Sequence, residues 1–207
     1  MDADYSVELG PEAPALELPW DDPERRFAYV DLRREPDGID RVPEARQFPA
    51  LRRLLAAVNS PQSAWQTAKC DVWTESVEAA ENLYGEGFSQ SCYVDLVLAT
   101  HWKLQRESLE LHEKLARQIA RSLECDETLE ASAEIVVRRC YFHGEGKAKE
   151  SAMDASDAGY CLTLYVSGFG CSANEAAAHW ENAMGLASEC LAGLQPEEER
   201  AKGCELS

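Results

Sequence analysis

The sequence predicts an α+β fold: two β-β-α units forming a four-stranded antiparallel sheet with two helices on one face, plus an N-terminal strand and helix extension. Three observations predict it. Alternation of apolar and polar residues recurs in four short runs after residue 61. Each pair of runs is followed by a long segment of helical period, and the connectors within the two pairs, Thr74 to Gln90 and His143 to Gly159, are seventeen residues each. With 207 residues, 45% of them hydrophobic, the chain has the length and apolar content of one domain with a small appendage.

Residues 1–61 differ in composition from the rest, and we read them as an arm and helix that pack on the main domain. They hold eight of the nine prolines, seven of them before Pro61, and eight arginines but no lysine. Met1 to Pro23 shows little periodicity and is expected to be an extended or poorly ordered arm. Arg26 to Leu32, RFAYVDL, alternates as a short strand does. Glu44 to Val58 reads as a helix, with Phe48, Leu51, Leu54, Leu55 and Val58 at helical spacing and Asn59-Ser60-Pro61 ending it.

Residues 62–195 are expected to form the α+β sandwich. Ala68, Cys70 and Val72 alternate with Lys69, Asp71 and Trp73, the pattern of a half-buried strand. Cys92 to Ala99, CYVDLVLA, reads as a more buried one. A helix from about Thr100 to Leu123 follows, with Leu104, Leu111, Leu115 and Ile119 as its apolar stripe. The pattern then repeats with strands at Ala133 to Phe142 and Tyr160 to Ser167 and a helix from about Ala173 to Leu194. Ser172 and Glu175 make a capping box at its start, and Trp180, Met184, Ala187 and Leu191 its buried stripe. Gln195-Pro196 ends it, and 196–207 is a charged stretch expected to be disordered.

Strand–strand–helix repeated twice is similar in general shape to ferredoxin-like sandwiches, a likeness of architecture that implies no activity. Such a sheet leaves one face uncovered. Lys69, Asp71, Tyr93, Asp95, Thr163 and Tyr165 fall on it if register permits, a mixed, aromatic-bearing surface suited to a ligand, a second subunit or a covering N-terminal segment.

Charge narrows the partners. Twenty basic against thirty-eight acidic residues give −18, which argues against a nucleic-acid backbone or an anionic membrane and favours a basic protein. The N-terminal residues lack a signal-peptide pattern and no apolar run approaches a membrane span, so a soluble, cytoplasmic protein is expected. None of the eight cysteines forms C-x-x-C, and most sit in apolar runs as core thiols.

The stretch CYFHGEGKAKESAMDASDAGY, Cys140 to Tyr160, offers Cys140-x-x-His143 and a Gly-Glu-Gly-Lys run. Zinc would need two further ligands at a recognisable spacing, and a P-loop would need a helix after the lysine, so the stretch reads as a hairpin connector. No metal or other cofactor is expected. Glu75, Glu78 and Glu81 recur at helical spacing in the other connector, as an acidic ridge for a basic partner or a solvated helix face. Asp71 and Asp95 interrupt apolar strands, and neighbouring strands would bring them together as a carboxylate pair. His101 and His143 follow strands and so belong at sheet ends. These four are the candidates for a polar pocket between the sheet and the N-terminal segment; no nucleophile motif accompanies them. The sequence therefore points first to a non-enzymatic binding or protein-interaction domain, with homo-oligomerisation through the mixed face open to it, and second to a small-molecule site or enzyme.

Overall fold

Each long strand of this protein is two-sided, and the two sides meet different surroundings. The computed structural model describes residues 1–20, 22, 24, 26–76, 84–124, 129–143 and 157–194, apart from the side chains of residues 101, 102, 104 and 157. In chain order the elements are β1 (Asp2–Glu8), β2 (Leu16–Leu18), a 3-10 helix (Pro36–Arg41), α1 (Pro43–Gln47), α2 (Pro49–Val58), β3 (Trp65–Ser76) and β4 (Phe88–Leu98). A second 3-10 helix (Thr100–Glu107), α3 (Leu109–Leu123), β5 (Ala131–Phe142), β6 (Asp157–Gly170) and α4 (Ala173–Gly193) complete it.

The sheet is open and six-stranded, in the order β1-β5-β6-β4-β3, with β2 beside β5. Neighbours among β3, β4, β5 and β6 are antiparallel, while β1 and β2 pair with β5 in parallel. This corrects the expected four-stranded, purely antiparallel, ferredoxin-like sheet. The missed strand, DADYSVE, does alternate: Ala3 and Tyr5 lean on the core, and Asp4, Ser6 and Glu8 fall on the other face. Its partner on β5 lies some 130 residues later, and no local pattern shows so distant a pairing.

Other boundaries moved for local reasons. Arg26 to Leu32 is no strand; only Ala28 makes a bridge. The expected helix from Glu44 splits at Phe48, because Pro49 bars the residue before it from helical angles and starts α2 at its own first turn. The helix from Thr100 begins as 3-10 and becomes α3 only at Ser108, whose hydroxyl accepts from the Leu111 amide. The S-x-x-E box of α4 forms in part: Ser172 Oγ accepts from the Glu175 amide, and Glu175 Oε2 accepts from the amide of Cys171. The expected tail, 196–207, lies outside the described residues.

The core lies between the sheet and α2, α3 and α4. Leu96, Ile135 and Leu164 from neighbouring strands meet Leu115, Ile119 and Trp180 from the helices, all essentially closed to solvent. Each such side chain contributes about 1.5–3 kcal/mol by leaving water. Met1, Leu32, Ile39 and Ala45 belong to the same core, so the first sixty residues are built into it. The closest approach is at Gly168, where a methyl would stand 2.2 Å from the Trp180 amide nitrogen and 2.5 Å from the Ala176 carbonyl. Only glycine lets α4 settle on β6 there.

Candidate binding site

The face away from the helices is where the polar strand positions gather, and the N-terminal segment covers only one end of it. Leu16, Leu18 and Tyr29 pack there on Ala68, Val97, Cys140 and Cys161. Burial pushes the Tyr29 hydroxyl up to about 12, and Gln66 donates to it at 2.9 Å. Beyond this cover the face is open, and register sets its rows. Asp71, Tyr93, Tyr165 and Glu134 form one, and Trp73, Ser91, Ser167 and Ser132 the next. The rings of Trp73, Tyr93 and Tyr165 follow one another at 6.5 and 6.1 Å between centroids.

At the β3 edge the N-terminal segment lifts away and leaves a cleft of about 560 Å³. Its floor is β3 at the irregularity between Thr67 and Cys70, where the pairing register with β4 shifts. Trp20, Phe27, Val42 and Leu55 supply apolar walls, and Lys69, Asp71 and Tyr93 carry the cleft round onto the open face. This size and mixture suit a bound group of small-molecule or side-chain dimensions. Phe27 is 50% exposed, unusual for so large an apolar side chain here. Asp22 fixes the outer wall by accepting from the amides of Glu24, Arg26 and Phe27. Burial pushes its carboxyl up, but the three amides and the Arg26 charge outweigh that and hold it below the usual range. Burial and then Glu44 push the Cys70 thiol well up, so it is protonated and a poor nucleophile at neutral pH.

The β3 edge changes character along its length. Over its first half the outward carbonyls are taken: Arg33 donates to Trp65 at 2.7 Å, and the Trp20 indole donates to Ala68 at 2.7 Å. From Asp71 to Ser76 no strand other than β4 pairs with it among the described residues. The Val72 amide donates instead to the carboxylate of its own neighbour, Asp71, at 2.8 Å. Alternation along the strand turns the Thr74 amide outward as well. Glu44, Asp71 and Glu75 form no ion pair among the described residues.

The residues singled out from sequence are dispersed. Asp71 is exposed on β3 and lines the cleft; Asp95 is 8% exposed on β4. They share a face, with Tyr93 between them in the register, and both charges push the Tyr93 hydroxyl further up after burial has done so. His143 ends β5 beside Glu17, with Nε2 3.6 Å from the carboxylate, at the covered end of the sheet. His101 lies in the 3-10 helix after β4, and its side chain is outside the described residues. Glu75 is exposed on β3; Glu78 and Glu81 lie outside the described residues. Among the described residues no three His, Cys, Asp or Glu side chains gather as a metal-ligand set, and no helix is long and apolar enough to cross a membrane.

Sequence reasoning placed Thr163 on this face but missed Arg138 and Glu8, which join it in a chain of contacts leading to Asp95. Arg138 pairs with Glu8 at 2.9 Å and donates to Tyr165 and Thr163 at 3.0 and 3.2 Å, and Thr163 donates to Asp95 at 2.6 Å. A charged residue inside the apolar run AEIVVRRCYF was the available signal. No family model matches the chain, and no curated protein or solved structure does either.

Proposed function

We propose that the chain is a protein-interaction domain that takes an extended, basic segment of a partner along the free edge of β3. The observation that carries this reading is the Asp71–Ser76 edge, whose outward amide at Val72 has, among the described residues, only its neighbour's carboxylate, running directly out of the cleft. An added strand takes up such amides by main-chain pairing, and a side chain of the incoming segment fills the cleft. The carboxylates of Asp71 and Glu75 beside the edge, which form no ion pair among the described residues, and the −18 charge of the whole chain favour a basic occupant. The high-lying Cys70 thiol supports binding over covalent chemistry in the cleft.

Thr74→Pro tests it, because proline removes the outward amide while leaving the main-chain pairing with β4 intact, with Thr74→Val as the control for the lost hydroxyl contact to Gln90. An acetylated, amidated octapeptide of alternating lysine and threonine is the probe, read by calorimetry. The variant should bind it at least about tenfold more weakly than the parent, one tenfold step being about 1.4 kcal/mol. In the parent complex the Val72 and Thr74 amides should become protected from hydrogen exchange. Equal binding by both proteins, or no protection, defeats the reading. A second reading, a small apolar ligand in the cleft, is favoured by the walls around Val42 and Leu55. It predicts ligand-induced NMR shifts there that persist in Thr74→Pro.

A further inference from the structure

The middle of the open face holds a carboxyl that the sheet has buried without an ion pair among the described residues, the charges of Arg138 and Lys69 acting on it only from a distance. Asp95 takes the Thr163 hydroxyl on one oxygen at 2.6 Å, and its other oxygen has no donor among the described residues. Arg138 directs its own donors to Glu8, Tyr165 and Thr163, so its charge reaches Asp95 only at a distance. Burial therefore prevails and pushes the carboxyl up. Two residues along the same strands, Tyr93 and Tyr165 stand opposite each other with ring centroids 6.1 Å apart. The protein's own ammonium already samples this place: Lys69 Nζ lies 6.0 Å from the Tyr93 centroid and makes no ion pair among the described residues.

We propose that Asp95 together with the Tyr93–Tyr165 pair forms a seat for the ammonium group of a lysine side chain carried by the segment that docks on β3. The inference rests on that docking. An added strand lies about 4.8 Å outside β3, and so about two such spacings from β4. A lysine on the open-face side of the added strand spans β3 with its four-carbon stem and brings its charge to Asp95. The aromatic rings then flank the cation, an arrangement that attracts it beyond the carboxylate alone. Lysine is preferred over arginine because only one carboxylate oxygen is free: a guanidinium fork wants two, and Thr163 holds the second. Lys69 moves aside when the ligand ammonium enters.

The test uses the same lysine–threonine octapeptide and its arginine counterpart on the full chain. Asp95→Asn keeps the Thr163 contact and should weaken the lysine peptide by about tenfold, the scale of losing a largely desolvated charge partner. Asp4→Asn, on β1 at the far edge of the sheet, removes the same formal charge and should change it less than about twofold, as a distant exposed charge does. Lys69→Met should tighten binding more than Lys114→Met, which removes an equal charge from α3. The arginine peptide should respond less to Asp95→Asn than the lysine peptide does. If Asp95→Asn and Asp4→Asn weaken the lysine peptide equally, or if both peptides respond equally to Asp95→Asn, the seat is overturned while edge docking stands. If the parent binds neither peptide, edge docking and the seat fall together.

Discussion

Asp95 shows at the scale of one residue what a buried, incompletely paired carboxyl does to a protein. Its folded-state affinity for the proton is raised by burial, with Thr163 and then Arg138 opposing. A raised carboxyl favours the folded state while protonated, and that contribution is lost as pH climbs through its folded value. Wild type therefore carries a penalty at neutral pH that Asp95→Asn lacks, because the amide oxygen still accepts from Thr163. The variant should melt at a higher temperature at pH 7, and its advantage should fade below about pH 4, the unfolded carboxylate value. Thermal unfolding between pH 3 and 8 reads this directly. An unchanged melting temperature at pH 7 would mean that the Arg138 and Lys69 charges offset the burial in full. The sequence marked this residue, since an aspartate within CYVDLVLA has to go somewhere. It did not mark the Arg138–Glu8 pair behind Thr163, because those residues come from two further strands whose register only the folded sheet defines.

Among elements, the contact of α4 with β6 is the least forgiving. The neighbours of a Gly168 methyl are backbone atoms of α4, which cannot rotate away as a side-chain tip would. Gly168→Ala should cost about 3 kcal/mol or more through overpacking, measured by denaturant unfolding. A loss near zero would show that α4 slides along the sheet. Period-two and helical patterns made most elements legible, because α3 and the outer half of β3 bury one face and leave the other wet, while β4 reads as the continuous apolar run of a strand covered on both sides. Two kinds of feature were hidden. Breaks inside long helical patterns turned on single residues, Pro49 and Ser108, whose effect is local and overrides periodicity. Of the residues anticipated for a polar pocket whose side chains are described, Asp71 lines the cleft at the β3 edge and Asp95 and His143 do not. The outer wall of the cleft comes from irregular chain between Trp20 and Leu32, where no period exists to be read, and the rest from the short helices that follow.

For the whole molecule, an excess of eighteen negative charges is a standing repulsion that folding concentrates. Added salt shortens the screening length, to about 3 Å at 1 M. Sodium chloride should therefore raise the melting temperature while it weakens the lysine peptide, two opposite trends from one cause. A melting temperature that falls with salt would indicate that ion pairs such as Glu8–Arg138 outweigh the general repulsion.

The parallel pairing of β1 with β5 also imposes an order of events on a nascent polypeptide. The earliest strand of this sheet in the chain has its partner some 130 residues downstream, so it stays a spectator while the intervening residues are made. The hairpin of β3 with β4 closes over a short span, and β5 with β6 follows. Only then does an edge exist for Asp2–Glu8 to join, so the sheet's earliest strand in the chain is fastened among the last, as a clasp on a sheet already assembled.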